Sequence, residues 1–425
     1  MEHTEFDFLG PLDYYSMDSG LTVILKQIPD ARTVSVQSWL RVGSVYENEK
    51  NNGLAHFLEH MVFKGTEKLS AGRINSIVEE VGGYLNAATS PDYTYYYSTL
   101  PASFWQRGLE LLEQLVCAPQ LQKDDFKKER KIVLSELARY GDNPQKKLWK
   151  QFVPRLYKKH PYGRLTIGVR EVLNNVSHEQ LLDFYSSYYS PERTIIVVAG
   201  DFPASEVLEK INELFQFKNE AGEETVFSKP EPPAEDYFEL TEEVGQLRGL
   251  IGTVGLPVES PHTLPLDVVI SLLGGSKSSR LYENLVLRKK LATGINASFW
   301  LQKEPGPVMI KFRSEEKHLD RLRGEITNEI ERFSEKPVAE EELQRFKNRE
   351  KAGFIYSAQT PANQAEQIGY WEAIGHLDFL LDYLSNIEEL TPGQLQDTAR
   401  SFFADRPLVT GVVKPNEENG EKNDR

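Results

Sequence analysis

The sequence predicts an α+β protein of two homologous halves, each a mostly antiparallel sheet with helices packed on one face. Three observations lead there. Runs rich in β-branched and aromatic residues alternate with runs whose apolar residues recur at helical spacing. The segment Ser177–Tyr189, followed by the strand-like Thr194–Val198, aligns without a gap to Thr391–Phe403, followed by Leu408–Val413. An acidic, proline-rich stretch, Phe217–Asp236, separates the two copies as a linker would. The division expected is therefore a first half over 1–216, a linker over 217–236, a second half over 237–415, and a charged tail, 416–425, expected to be disordered.

Taken in order, Leu21–Lys26 and Thr33–Val42 are strand-like by β-branched content. Next comes Gly53–Thr66, which contains His56-Phe57-Leu58-Glu59-His60. At 100° per residue, Leu54, Phe57, Leu58 and Met61 form one stripe of a helix. His56, Glu59, His60 and Phe63 form another, nearly opposite. Two histidines four apart point the same way and can grip one metal ion, and Glu59 can reach a water on that metal. This H-x-x-E-H arrangement is the reverse of H-E-x-x-H, and both serve zinc-dependent peptide hydrolysis.

Ala71–Val81 reads as a helix ended by Gly82-Gly83, Tyr93–Leu100 as a strand, and Phe104–Val116 as a helix. Asp125 to about Gly141 reads as a long charged helix, with Pro144 beyond its end. On it Glu129 and Glu136 share a face about 10 Å apart, so one zinc cannot take both directly. Ile132 and Val133 lie on the same side, which makes that face partly buried. A buried carboxylate needs a partner, and a metal is one. An ordinary solvated helix laced with ion pairs is the other reading of this segment.

The chain has 425 residues, enough for two or more domains, and a net charge of −15, which argues against a nucleic-acid-binding surface. Its single cysteine, Cys117, excludes an internal disulfide and sits on an apolar helical pattern as a small core residue. The N-terminus lacks a basic region followed by an apolar run, and no stretch is apolar enough to span a membrane. A cytoplasmic protein with no membrane role is the simplest expectation.

His56-x-x-Glu59-His60 with a glutamate 76 positions on (136 − 60) resembles the pitrilysin and mitochondrial processing peptidase family of inverted zinc peptidases, in a short two-domain bacterial form. Gly82–Ser90, Glu136–Pro144, Tyr189–Asp201 and Gly274–Tyr282 resemble further family segments, so the resemblance covers essentially the whole chain. It implies Zn2+ as cofactor, His56, His60 and Glu136 as ligands, and Glu59 as general base. It places Glu129 one step behind the ligands, orienting one of them or balancing charge. Substrate peptides would add as a strand beside Tyr84–Thr89, with Asn86 and Ala87 as the binding residues.

The second half departs from the first. Phe346–Tyr356 mirrors the Phe126 helix, but Arg349 stands for Glu129 and Tyr356 for Glu136, so this half should share the fold and not the metal. The family also places an Arg and a Tyr, seven apart, to hold the substrate carbonyl. Aligned from Gly274, those positions are Val286 and Thr293, and Arg288, two residues off register, would be turned about 200° away on an α-helix. The expected function is a zinc endopeptidase acting on peptides or unfolded segments in a closed chamber. The alternatives are a zinc-containing subunit inactive until a partner supplies the Arg/Tyr clamp, or a non-catalytic structural or binding subunit. A heterodimer with a homologous clamp-bearing subunit is expected, with a homodimer as fallback.

Overall fold

In the computed structural model the described residues are 9–220, 222 and 225–416. They form two compact units, each assembled from three stretches of chain. Of the described residues, the first takes those up to 137, from 164 to 226 and from 352 to 382, and the second those from 138 to 163, from 227 to 351 and from 383 on.

The first unit is built on a six-stranded sheet of β1 (Asp13–Ser16), β2 (Thr22–Gln27), β3 (Thr33–Leu40), β4 (Tyr84–Thr89), β5 (Thr94–Pro101) and β6 (Thr194–Gly200), in the order β1-β2-β6-β3-β5-β4. Only the β2–β6 pair is parallel. One face carries α1 (Leu54–Val62), α2 (Ala71–Glu79), α3 (Trp105–Cys117) and the buried side of α4 (Lys123–Asp142). The other face is covered by the helix Pro361–Ala373, from late in the chain, which packs on β3 and β6. Every residue of β6 is buried: Ile196 and Val198 face one side, Ile195, Val197 and Ala199 the other. A strand covered on both faces reads as a continuous apolar run, as this one does. Gly369 makes the late helix fit, since a Cβ there would lie 2.1 Å from the Trp39 indole nitrogen.

The second unit repeats this topology without β1. Strands β7 (Asp236–Glu242), β8 (Leu247–Val254), β9 (Gly294–Phe299), β10 (Pro307–Ser314) and β11 (Val409–Pro415) run in the order β7-β11-β8-β10-β9, and again one pair, β7–β11, is parallel. Here α5 (Pro144–Tyr157), from early in the chain, packs on β11 and β8. Each unit thus takes one helix from the opposite half of the sequence. The helices of the duplicated segment carry the same capping box. Ser177 with Gln180, and Thr391 with Gln394, each exchange side-chain and backbone hydrogen bonds.

The described residues of the linker show neither helix nor strand before Asp236. The charged tail lies outside the described residues except Asn416, whose N–H donates to the Glu242 carbonyl and continues the β7–β11 pairing. Among the described residues, no helix is long and apolar enough to cross a membrane.

Candidate metal centre

Helix α1 starts at a residue that cannot cap it. Gly53, at φ 103°, offers no side-chain acceptor, and its neighbours forbid one: a Cβ would lie 2.9 Å from the Gly168 Cα. The first N–H groups of a helix still need acceptors. Buried Glu47 supplies them, accepting from Gly53 N at 2.8 Å, Ala55 N at 2.7 Å and Asn52 Nδ2 at 2.7 Å. Burial raises the Glu47 pKa to about 7, against the lowering effect of these three donors and of Arg164. Nothing in the periodicity marks Glu47. The available signal was an uncappable glycine at a helix start, which demands an acceptor from elsewhere. Glu47→Ala leaves two backbone donors buried and unmet, and should destabilise the metal-free chain by roughly 2–4 kcal/mol in denaturant unfolding. A loss below about 0.5 kcal/mol, the range of ordinary surface changes, would show the anchor to be dispensable.

With α1 anchored, Leu54, Phe57, Leu58 and Met61 are buried in the core, while His56, Glu59 and His60 stay partly accessible on the other side. Helix α4 crosses them and brings Glu136. The ligand atoms of His56, His60 and Glu136 all lie within 4.8 Å of one another, and among the described residues this is the one such group. Glu136 Oε2 is 3.4 Å from His60 Nε2 and 3.9 Å from His56 Nε2.

Glu129 stands behind His60. Its Oε1 is 2.9 Å from His60 Nδ1, and Lys64 Nζ meets its Oε2 at 2.7 Å. Val133 beside it is buried, but Ile132 is 47% exposed. The expectation that both lie on the buried face is corrected: Ile132 is turned about 60° from Glu129 toward solvent, on the flank away from Val133.

The electrostatics separate the two imidazoles. Burial, helped by the charge of His60, lowers the His56 pKa to about 4 and keeps that ring neutral, as a metal ligand must be. Burial also acts to lower the His60 pKa, but the Glu129 hydrogen bond with the Glu59 and Glu136 charges outweighs it and raises the value. Glu59 is raised above the usual carboxylate range by burial, despite a hydrogen bond from the Thr89 hydroxyl and the nearby His60. Thr89 was not singled out by sequence reasoning, although it lies within the motif that marked β4.

Two imidazoles and one carboxylate whose ligand atoms converge form a donor set of catalytic zinc. His60 fits especially well, because Glu129 engages Nδ1 and leaves Nε2 toward the cluster. His56 Nδ1 is buried without a hydrogen-bond partner among the described residues, so Nε2 is its engaged nitrogen.

Asn86 and Ala87 lie on β4, an edge strand paired only to β5 among the described strands. Ala87 packs toward the core on the α1 side. Asn86 is exposed, and its Nδ2 donates to Tyr84 Oη at 2.7 Å. In the second unit, Val286 is half-buried and Thr293 exposed. The segment Tyr282–Arg288 is a π-helix, not the α-helix assumed from sequence, so the 200° rotation does not apply. Lys289 N bonds to Asn284 O, five residues back, and Arg288 reaches Glu283 at 3.6 Å.

Residues 22–170 match the family described as insulinase (peptidase family M16), and residues 175–350 match the peptidase M16 inactive domain. An uncharacterized zinc protease of Mycobacterium leprae is 30% identical over 305 residues, 69% of this chain and 67% of that protein. The chain belongs to peptidase family M16. This M16 chain is also 27% identical over 423 residues to the zinc protease PqqE of Helicobacter pylori, covering 96% of the chain and 94% of the relative. The crystal structure of a protease from Helicobacter pylori matches it at TM-score 0.87 and 25% identity, over 96% of this chain and 100% of that one. A Pseudomonas fluorescens peptidase M16 inactive domain structure, at 19% identity and TM-score 0.86, over 95% of this chain and 98% of that one, shares the fold. The M16 assignment makes the chain a metalloprotease at family level. The stretch matched to the inactive domain, residues 175–350, contains no H-x-x-E-H motif.

Proposed function

We propose that this M16 chain is a zinc-dependent endopeptidase of peptides or unfolded segments, working as half of a dimeric chamber. The observation that carries the reading is the convergence of His56, His60 and Glu136 with Glu59 on the same helix. Relatives named zinc proteases support it.

His56 Nε2, His60 Nε2 and Glu136 would hold zinc, which supplies Lewis acidity toward water and the scissile carbonyl when bound. Glu59 takes the proton from the attacking water and returns it to the leaving amine; its raised pKa suits a group that must both accept and release. Thr89 holds Glu59 by one carboxylate oxygen, leaving the other for the proton. Glu129 fixes the ring of His60. The unpaired edge of β4, with Asn86 and Ala87, would take the substrate as an added strand.

Metal analysis of the Glu136→Gln variant tests the reading. Zinc affinity should fall by about tenfold or more, since a carboxylate ligand is replaced by a neutral amide. Unchanged stoichiometry and affinity would remove Glu136 from the ligand set, and a parent chain that holds no zinc would remove the proposal.

A further inference from the structure

The second unit contains a groove of about 530 Å³, within the range of ligand sites, that the metal centre does not use. Its floor is the face of β8, β10 and β9 beside α5. Arg248 and Arg313 stand directly opposite each other on neighbouring strands, and Lys311 lies two residues along from Arg313 on the same face. Gly294, across from Arg313 on β9, adds no side chain to fill the space. Lys146, on α5, brings a fourth cation, and among the described residues no carboxylate lines the groove.

Like charges directly opposite on a sheet are destabilising. Yet among the described residues none of these four cations forms an ion pair, in a chain of net charge −15. The Arg248 Nε is buried without a hydrogen-bond partner among the described residues. Burial also lowers the pKa of Lys311, with no carboxylate to oppose it. The wall is aromatic: Trp149 and Trp300 rings lie 5.5 Å apart, Trp300 is 41% exposed, and Lys311 Nζ sits 5.1 Å from its ring centre. Tyr282, the first residue of the π-helix, completes one end. Departures of this kind from regular helix cluster at functional sites.

We propose that this groove binds acidic segments of peptides, with carboxylates on Arg248, Arg313 and Lys311 and an apolar neighbour against Trp149 and Trp300. Along β10, Lys311 and Arg313 are two residues apart, roughly 6.6–6.8 Å, the spacing of alternate side chains in an extended peptide. Guanidinium groups pair with carboxylates through two parallel hydrogen bonds, which suits the two arginines. The chain's overall negative charge disfavours long polyanions such as nucleic acids and leaves short acidic peptides as the fitting class. The inference deepens the peptidase reading by naming a substrate preference, and rests on it for the identity of the ligand as peptide.

Calorimetric titration of the full-length Glu59→Gln chain, which should not cleave its ligand, tests the groove. Peptides of one length and apolar content carry acidic, neutral or basic residues at alternate positions, and the acidic one is used with free and amidated C-termini. The acidic peptide should bind at least about tenfold more tightly than the neutral one, and Arg248→Gln with Arg313→Gln should erase the difference. Amidation that leaves affinity unchanged assigns the site to side-chain carboxylates; a tenfold loss assigns it to the C-terminal one. Arg248→Glu with Arg313→Glu should reverse the preference toward the basic peptide, a gain that misfolding cannot produce. Equal affinity for acidic and neutral peptides, or tighter binding of an oligonucleotide of equal charge, overturns the proposal. Acidic binding by a chain whose parent form cleaves no peptide, alone or with a homologous clamp-bearing partner, would sink the peptidase reading alone. Cleavage without acidic preference would sink the groove alone.

Discussion

Glu59→Gln should lower peptide hydrolysis by about 10²–10⁴-fold, the usual contribution of a positioned acid–base group, while zinc remains bound. Glutamine keeps the length and shape of the side chain, and its oxygen can still accept the Thr89 hydroxyl. It cannot take a proton. The three candidate ligand atoms belong to other residues, so their convergence does not depend on Glu59. Steady-state rates on a quenched-fluorescence peptide, with metal content measured on the same preparation, check both halves of the statement. Near-parent activity would exclude Glu59 as the base. Loss of zinc together with activity would show that Glu59 supports the metal rather than the proton transfer.

Much of the candidate metal centre was legible because helical geometry is local. Residues four apart share a face whatever the rest of the fold does, so His56 and His60 could be paired from sequence alone, and the opposite stripe assigned to the core. Glu136 needed the family spacing, because no local rule says which helix crosses α1. Glu47 and Thr89 escaped for the same reason. Each is an acceptor or donor chosen by tertiary contact, and its neighbours in sequence carry no period that points to it. The sheets were legible where burial is one- or two-sided and regular, as in β6. The exchange of helices was not. The apolar stripes of α5 and of Pro361–Ala373 say that each must be covered, but an amphipathic pattern does not name the sheet that covers it. The π-helix at Tyr282–Arg288 was also invisible, since one extra residue per turn leaves no clear mark in a seven-residue segment.

The chain alone should cleave peptides poorly, and a homologous partner with Arg and Tyr at the positions aligned to Val286 and Thr293 should raise kcat/KM by about a hundredfold or more. Two observations motivate the expectation. The candidate metal ligands are all present, with His56, His60 and Glu136 converging and Glu59 on the helix of the two histidines. The clamp positions are not: Val286 has no polar side-chain group, and the Thr293 hydroxyl is already bonded to Gln246. A hydrolytic site that activates water but does not fix the substrate carbonyl loses the part of its rate that comes from positioning. Well-oriented groups are worth several orders of magnitude, so even one missing clamp is costly. The partner needs no H-x-x-E-H motif of its own, because its task is to hold the carbonyl. Co-purification, the mass of the assembly in solution, and titration of activity against added partner test the arrangement. Activity should rise with partner and saturate at one partner per chain, and Arg or Tyr replacement in the partner should reverse the gain while zinc in this chain is retained. A fully active monomer, indifferent to any added homologue, would defeat the proposal; a fully active homodimer would leave the chamber in place and transfer the clamp to residues of a second copy of this chain.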